Sequence, residues 1–309
     1  MKFTILVNAY NVEDYISEAL HSAMNQKVQN LEIIVIDDNS TDSTFQIIEK
    51  IARLDSRIRV IRTGTNQGIS AARNEALKFA TGDFLAFLDG DDVLVSGFLN
   101  RIEQAVTQHP LTDLVLFNFE RFDDEKITAV SKVGLSFDKA YTAIWNKVYS
   151  RGLYKSMRFP AGVTLGEDTS QTLIAFYESN HPLLITDTLY RYRQRNYSAT
   201  TISKSLQLLE ALFALEPLVS LNNHLQNKDL QILLNSQFFS FASNAVLVDD
   251  SDSKDVLKAI FNKQKELNSW ATVYNKNAIK NIKDIVLMGI IKSLPLAWSK
   301  IVVAKFMKG

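Results

Sequence analysis

Three aspartates lie within four positions, directly after an apolar run of the sequence: Asp89, Asp91 and Asp92 in the segment AFLDGDDVL. Carboxylates this close repel one another unless protons or a positive group stand between them. Their oxygens suit Mg²⁺ or Mn²⁺, which keep several waters and bridge to phosphate oxygens. Asp and Gly also form ordinary turns. The spacing alone therefore leaves two interpretations open, a divalent-metal site and a polar turn.

Two other polar clusters follow predicted strands in the first third of the chain. Asn8 and Tyr10 stand at the end of FTILVNAY, and Asp38 follows the run EIIVID. The ligands of an open parallel sheet bind in the crevice outside the carboxyl ends of its strands. We therefore expect these polar groups and the aspartates at 89–92 to share one site.

The elements that must position these groups follow from the spacing of apolar residues. Over the first 90 residues that spacing alternates between the period of a strand and the period of a helix, which predicts a parallel α/β sheet. Strands are also predicted at 113–122 and at 183–195, the latter running into a basic loop, whereas 145–154 and 165–179 are typical of loop-to-helix segments. From about Lys204 the pattern is mostly helical. In the first third, strands are predicted at 3–10, 32–37, 58–63 and 83–89, and helices after Asn11 and at 45–54 and 68–80.

The composition excludes several classes of protein. Lys plus Arg and Asp plus Glu both number 34 in 309 residues, and this balance argues against a general nucleic-acid binder. The chain has no Cys, which excludes disulfides and thiolate metal sites. No apolar run approaches the ~18 residues of a membrane span, and the first residues do not resemble a signal peptide. We expect a cytoplasmic protein.

Four segments carry a resemblance to a known family: ILVNAYNVEDYISEALHSAMNQ, LEIIVIDDNSTDST, NQGISAARNEALKFATGDFLAFLDGDD and GED. Together, over about residues 1–195, they resemble the inverting family 2 glycosyltransferases of bacterial glycan assembly. The resemblance implies a GT-A catalytic domain at 1–200, a Rossmann-like α/β fold that binds a nucleotide sugar. Its donor-binding half would cover about 1–95 and its acceptor-side half about 96–200. Residues 201–309 carry no family signature and are expected to form a helical C-terminal region.

The resemblance implies a nucleotide-diphosphosugar donor and assigns residues to it. Tyr10 would stack on the base, Asp38 would hydrogen-bond the edge of the base, and Asn8 would belong to the same donor-binding set. An ordinary strand-end aromatic is the alternative for Tyr10. The resemblance implies that Arg73 lies near the base or diphosphate, or in a helix-face salt bridge. Asp89 and Asp91 would be the DxD pair that binds Mn²⁺ or Mg²⁺, with Asp91 as the direct ligand and Asp89 nearer the ribose or metal-bound water.

The resemblance also implies groups on the acceptor side. Asp168 of the GED segment would be the catalytic base, with Glu167 supporting it or binding the acceptor; acids that begin a helix also offset the helix dipole, which is the alternative. Trp145 of WNKVY would stack on a sugar or belong to the core, and its neighbours Asn146 and Lys147 would bind hydroxyls or phosphate. Arg193 and Arg195 of YRYRQR would close over the pyrophosphate or form a solvated face.

The resemblance implies transfer of one sugar, or a few, to a glycan or lipid-linked glycan acceptor, with a UDP-sugar as the donor because UDP is the commoner nucleotide in this family. The signature of processive synthases, Gln-x-x-Arg-Trp, is absent. One alternative is a nucleotidyltransferase on a similar sheet, but the loop after the first strand, NAYNVEDY, is acidic and lacks glycine. The other alternative is a module that binds a nucleotide sugar without catalysis.

The last 34 residues differ in charge from the rest of the chain. Residues 276–309 contain seven lysines and one acid, a net charge of +6, between apolar stretches that include Trp298 and Pro295. This pattern is typical of amphipathic helices that lie on an anionic membrane, which would place the protein on the inner face of the plasma membrane. The alternative is a helical appendage that packs on the catalytic domain or on a second copy in a homo-oligomer.

Overall fold

The computed structural model describes residues 1–123, 126–136, 139–163, 166–195, 205–225, 230–231, 234, 237–238 and 253–266. These residues divide into two compact units, one within 1–162 and 171–196 and the other within 163–170 and 197–309. The domain boundary predicted near residue 200 and the division predicted near residue 95 stay predictions. Among the described residues, no helix is long and apolar enough to cross a bilayer.

The first part of unit one is a four-stranded parallel sheet. The strands are β1 (Phe3–Ala9), β2 (Leu31–Asp37), β3 (Ile58–Arg62) and β4 (Phe84–Asp89), and the helices between them are α1 (Ile16–Met24), α2 (Thr44–Ala52) and α3 (Ile69–Leu77). The central strand β1 is buried at every residue, because it has strand neighbours on both sides and helices on its faces. In the register, Asn8 of β1 lies opposite Asp89 of β4.

The second part of the sheet is mixed. Its elements are β5 (Val93–Leu94), α4 (Phe98–Gln108), β6 (Leu114–Phe122), β7 (Ile127–Ser131), β8 (Lys147–Ser150), α5 (Arg151–Ser156) and β9 (Pro182–Arg193). The strand order of the whole sheet is β3-β2-β1-β4-β8-β6-β9-β5, with β7 paired to β6. β8 runs antiparallel to β4 and β6, β9 runs parallel to β6, and β5 pairs antiparallel with the end of β9.

The segment WNKVYSRGLY contains a strand that its pattern did not predict. Lys147–Ser150 forms β8 between β4 and β6, and the helix α5 begins only at Arg151. This segment forms a strand because of tertiary contacts: β8 inserts between two buried strands, and its residues form part of the core. A polar Asn-Lys pair in the sequence masked that burial.

The remaining described helices are α6 (Glu167–Glu178), α7 (Ser205–Ala214), α8 (Glu216–Leu225) and α9 (Ser253–Glu266). The helical pattern predicted from about Lys204 agrees with the last three. The predicted basic amphipathic segment at 276–309 lies outside the described residues.

Candidate active site

The residues Asp89 to Asp92, called the acidic turn below, follow β4 at its carboxyl end. The Gly90 N–H donates to the carbonyl oxygen of Asn8 at 2.8 Å, and the Asp92 N–H donates to the carbonyl of Asp89 at 3.0 Å. A Cβ atom on Gly90 would lie 2.7 Å from that same Asn8 oxygen. Glycine therefore lets the turn pack against the end of β1.

Two arginines pair with carboxylates of the acidic turn. The Arg73 guanidinium, buried on α3, lies 3.3 Å from the Asp89 carboxylate. The Arg195 guanidinium, just after β9, lies 2.6 Å from the Asp91 carboxylate. These two ion pairs provide the positive charge that the sequence required between the aspartates.

Arg193 contacts the acidic turn through its backbone and its side chain. Its N–H donates to the Asp92 carboxylate at 2.7 Å, and its Nε donates to the carbonyl of Asp91 at 2.8 Å. The same guanidinium pairs with Glu18 and lies 4.9 Å from the ring centroid of Tyr15. Arg193 is only 6% exposed, so the solvated-face interpretation is wrong for this residue.

Asp92 is buried behind the turn and is bound by Tyr190. The Tyr190 hydroxyl donates to the Asp92 carboxylate at 2.8 Å and accepts the Asp89 N–H at 3.2 Å. Burial raises the pKa of Asp92 well above its usual range, and the charges of Asp91 and Asp89 add to this effect. Burial, together with the charges of Asp92 and Asp89, also raises the pKa of Tyr190. The pKa of Tyr192 rises to about 12, mainly through burial.

Trp145 lies in the core and not on a sugar-binding surface. Its ring stacks on Tyr190 at 4.5 Å and on Tyr192 at 5.3 Å, and only 4% of the residue is exposed. The sugar-stacking prediction is wrong for this conformation because the indole is buried against these two rings. Asn146 and Lys147 are also fully buried, with the Lys147 ammonium donating to nearby carbonyls, so their predicted contacts with hydroxyls or phosphate are wrong as well.

Tyr10 is an exposed aromatic residue on a fixed loop. It is 44% exposed directly after β1. Asn11, which has a positive φ of 50°, ties this loop to the loop after β2. Its N–H donates to Ser40 Oγ at 3.0 Å, and its Oδ1 accepts the Thr41 N–H at 2.9 Å. The Tyr10 ring is therefore available to a flat partner, as base stacking requires.

Asp38 orders the loop that begins α3. One carboxylate oxygen accepts the Gly68 N–H at 2.7 Å, and the other accepts the Thr63 hydroxyl at 2.9 Å and the Gln67 N–H at 3.0 Å. Asp38 is buried, and Gly68, at the start of the helix, has a positive φ of 83°. The structure thus links Asp38 to the placement of Arg73 further along α3, and its predicted contact with the base stays a prediction.

Asn8 places a buried amide beside the acidic turn. Only 8% of the residue is exposed, and neither its Oδ1 nor its Nδ2 forms a hydrogen bond among the described residues. A buried polar group without a partner costs about 1–3 kcal/mol, and such groups are often explained by a ligand or water. The position of Asn8 is consistent with the donor-binding role predicted for it.

Glu167 and Asp168 form the first turn of α6, after Gly166 with a positive φ of 83°. The positive end of the helix dipole stabilises carboxylates there. Both lie in the second compact unit, and their predicted roles toward acceptor and donor stay predictions.

The residues present fit a metal ion that is shared with a diphosphate. The side chains of Asp89 and Asp91 are 23% and 16% exposed, whereas Asp92 is buried. In the part of the chain that the structure describes, no group of three or more His, Cys, Asp or Glu side chains is arranged to hold a metal. Mg²⁺ is usually held by one or two carboxylates with substrate phosphates and water, and Mn²⁺ takes similar oxygen ligands. The carboxylates of Asp89 and Asp91 therefore fit a site in which the metal ion is also bound by a diphosphate, and not a site closed by protein ligands alone.

The sequence did not indicate the part played by Tyr190, whose hydroxyl joins two residues of the acidic turn about 100 positions away. The available signal was the alternation of tyrosine and arginine at 190–193 along one strand. This pattern predicts arginines near a ligand and gives the tyrosines no role.

This mixed sheet, with the acidic turn at the end of its fourth strand, has the fold of the GT-A class of glycosyltransferases. The crystal structure of S. aureus TarS 1-349 in complex with UDP-GlcNAc has this fold, with a TM-score of 0.61 over 89% of this chain and 93% of that chain at 22% identity. The mannosyltransferase PcManGT from Pyrobaculum calidifontis, in complex with GDP-Man and Mn²⁺, has a TM-score of 0.52 at 16% identity over 98% of this chain and 84% of its own. These likenesses show the fold.

The chain belongs to glycosyl transferase family 2, whose family model matches residues 4–164, more than half of its length. EpsJ of Bacillus subtilis (strain 168), described as an uncharacterized glycosyltransferase, is 31% identical over 64% of this chain and 63% of its own. TarS of Staphylococcus aureus (strain Mu50), a poly(ribitol-phosphate) beta-N-acetylglucosaminyltransferase, is 32% identical over 62% of this chain and 35% of its own. The matched regions thus span less than two thirds of the length of these relatives. The predicted family and GT-A fold are confirmed.

Proposed function

We propose that this protein transfers a sugar from a nucleotide-diphosphosugar, in particular a UDP-sugar, to an acceptor hydroxyl with inversion at the sugar carbon. The observation that carries the proposal is the acidic turn, which presents Asp89 and Asp91 at the carboxyl end of β4 beside Arg73 and Arg195. Membership of glycosyl transferase family 2 favours glycosyl transfer over the nucleotidyltransferase alternative. TarS, a relative with the same fold, was crystallised with UDP-GlcNAc.

The donor half of the site has groups for each part of a nucleotide sugar. The exposed ring of Tyr10 stacks on the base, and Asn8 offers a buried amide next to Asp89. Asp89 and Asp91 would hold a Mn²⁺ or Mg²⁺ ion, which when bound would supply Lewis-acid stabilisation of the leaving group. Arg73 and Arg195 add positive charge where the nucleoside diphosphate carries its negative charge.

The acceptor is activated by Asp168. Asp168 lies on the first turn of α6, and a carboxylate within hydrogen-bond reach of an acceptor hydroxyl can take its proton. Direct displacement by that hydroxyl inverts the sugar carbon and needs no covalent enzyme intermediate. Glu167, its neighbour, supports the base or binds the acceptor.

Several relatives suggest the setting of the reaction. TarS is named for a poly(ribitol-phosphate) acceptor, and an Escherichia coli relative that is 39% identical over 42% of this chain, WfaP, is named for a diphosphoundecaprenol-linked one. We propose a glycan or lipid-linked glycan acceptor in bacterial surface-polysaccharide synthesis, reached from the cytoplasmic side of the membrane. Removal of residues 280–309 should then reduce flotation of the protein with anionic liposomes, and unchanged flotation would leave only the packing or oligomer role for that segment.

The test is a thermal-shift series with UDP-GlcNAc, UDP-glucose and GDP-mannose, each with and without Mn²⁺. A ligand that binds only the folded state stabilises it by ~2.7 kcal/mol at 100 times its Kd. We expect a Mn²⁺-dependent rise in the unfolding midpoint with one UDP-sugar for the wild type, and loss of that rise for Asp91→Asn. Asp187→Asn, which removes an exposed carboxylate paired with Arg101, is the matched control and should keep the rise.

The outcomes separate the parts of the proposal. A rise in the unfolding midpoint with GDP-mannose alone would show that the donor is a GDP-sugar and not a UDP-sugar. A rise of the same size with and without Mn²⁺ would contradict the proposed role of the metal in donor binding. No shift with any donor would count against donor binding, and therefore against the non-catalytic alternative as well, unless the enzyme binds its acceptor first.

A further inference from the structure

Four hydrogen bonds join the end of β9 to the acidic turn. The Tyr190 hydroxyl accepts the Asp89 N–H at 3.2 Å and donates to the Asp92 carboxylate at 2.8 Å. The Arg193 N–H donates to the other oxygen of Asp92 at 2.7 Å, and Arg193 Nε donates to the Asp91 carbonyl at 2.8 Å. Each of the three aspartates is therefore held by β9, through either its backbone or its side chain.

Both β9 residues are themselves fixed by other elements. The Tyr190 ring is fully buried and stacks on Trp145 at 4.5 Å with an interplanar angle of 13°. The Arg193 guanidinium pairs with Glu18 of α1 and lies 4.4 Å from the ring centroid of Phe122 at the end of β6. Motion of the acidic turn would consequently require motion of buried, stacked side chains.

The turn is also fixed from its other side. Its last residue precedes β5, whose Val93 and Leu94 pair with Arg191 and Tyr190 of β9. The chain that leaves the turn is thus held by the same strand that supplies the hydrogen bonds. The acidic turn therefore takes its position from β9 as well as from β4.

We propose that Tyr190 and Arg193 are positioning residues that hold Asp89 and Asp91 in the geometry needed to bind the metal–diphosphate group. This inference rests on the proposed function, since it assigns a role toward the donor. Neither residue needs to touch the donor, because both act through the backbone and carboxylates of the turn. Arg193 thereby takes a different role from the pyrophosphate lid that its sequence position suggested.

A positioning role differs from a merely structural one in what a substitution changes. Outer hydrogen-bond partners of metal-binding groups commonly alter metal affinity by about 10–100-fold when removed. A structural residue would instead lower stability and leave the metal affinity of the remaining folded protein unchanged. Metal affinity, measured apart from catalysis and stability, therefore distinguishes the two roles.

Tyr190→Phe is the main variant because it removes one oxygen and keeps the ring that stacks on Trp145. Its matched control is Tyr192→Phe, since Tyr192 stacks on the same indole but its hydroxyl forms no hydrogen bond to the acidic turn within the described chain. Arg193→Met is the second variant, with Arg191→Met as control because Arg191 pairs with Glu120 at 2.6 Å.

The experiment measures three quantities for each protein: affinity for UDP without metal, affinity of the UDP complex for Mn²⁺ by electron paramagnetic resonance, and hydrogen exchange of the peptide that contains residues 89–92. We expect UDP affinity without metal to stay within about twofold and Mn²⁺ affinity to fall by about 10–100-fold in Tyr190→Phe and Arg193→Met. Exchange in that peptide should become faster in both variants, and the two controls should match the wild type.

Wild-type Mn²⁺ affinity in Tyr190→Phe, with only a lower unfolding midpoint, would overturn the positioning role and leave the proposed function intact. A wild type that binds neither UDP nor a UDP–Mn²⁺ complex would overturn the proposed function, and the positioning role would fall with it. Equal losses in Tyr190→Phe and Tyr192→Phe would also overturn the assignment, because the effect would then belong to the aromatic stack.

Discussion

At the scale of single residues, the acidic turn carries its own counter-charges. Arg195 lies 2.6 Å from the Asp91 carboxylate, and Arg73 lies 3.3 Å from that of Asp89. Under the proposed function, Arg195 would compete with the metal for the Asp91 carboxylate. Binding of metal and diphosphate together would resolve this competition, since the phosphates offer the arginine another anionic partner.

The first prediction follows from that competition. Arg195→Gln should raise the affinity for Mn²⁺ in the absence of nucleotide by about fivefold, because a partly exposed ion pair contributes up to ~1 kcal/mol. The measurement is a Mn²⁺ titration followed by electron paramagnetic resonance. Arg191→Gln is the control, and unchanged or weaker Mn²⁺ binding by Arg195→Gln would contradict the competition.

The second prediction concerns Asp168, the proposed catalytic base. Asp168→Asn should keep the donor-dependent thermal shift and lose about 10²–10⁴-fold in the rate of transfer, because a neutral amide cannot accept the acceptor proton. Single-turnover transfer measured beside donor binding checks both halves. Transfer at the wild-type rate would remove Asp168 from the role of base.

At the scale of elements, the site depends on a close approach between β1 and the acidic turn. Gly90 packs on the end of β1, where an added Cβ would meet the Asn8 oxygen at 2.7 Å and a Val12 methyl group at 3.1 Å. We expect Gly90→Ala to lower the free energy of unfolding by about 1–3 kcal/mol, as overpacking commonly does. Urea unfolding measures this change, and Gly64→Ala is the control because nothing lies within 4 Å of its added Cβ. If both substitutions changed the free energy of unfolding equally, the added Cβ at Gly90 would be accommodated without overpacking against Asn8 and Val12.

The elements also show how far the sequence could predict the structure. The strands and helices of residues 1–90 alternate in period, so their types and approximate bounds were predictable, and the aspartates were predictable as a strand-end cluster. The environments of Trp145 and Arg193 were not predictable, because an aromatic residue and a basic residue are equally compatible with a surface site. Their burial depends on β8 entering between β4 and β6 and on β9 reaching the acidic turn, and both are contacts between residues far apart in the chain.

At the scale of the whole sheet, the two ends of the central strands differ: one end carries the candidate site and the other carries a network of polar contacts. The carboxyl ends carry the acidic turn, and the amino ends are tied together by Glu32 of β2. The Glu32 carboxylate pairs with the Lys2 ammonium at 2.6 Å and accepts the Thr4 hydroxyl at 2.5 Å and the Thr81 N–H at 2.7 Å. These contacts join β1, β2 and the approach to β4 at the end of the sheet away from the site.

The last prediction gives this network a pH dependence. Partial burial of Glu32 opposes its ionisation, but the hydrogen bonds from Lys2, Thr4 and Thr81 outweigh that effect and lower its pKa from 4.5 to about 2. The folded state therefore binds its proton more weakly than the unfolded state does. The stabilisation is fully present above pH 4.5 and is lost as the pH falls from 4.5 through 2.

Glu32→Gln should consequently lower the free energy of unfolding at pH 7 by about 1–2 kcal/mol, after allowance for solvent screening of a partly exposed group. At pH 3 the difference from the wild type should shrink to about half or less, because the wild type has lost part of the same stabilisation. Urea unfolding at the two pH values measures both differences. Glu75→Gln, which removes an exposed pair with Lys78, should change stability by no more than ~0.5 kcal/mol at pH 7. A difference between wild type and Glu32→Gln that is the same at pH 7 and pH 3 would show that the carboxylate stabilises the sheet by packing and not through its charge.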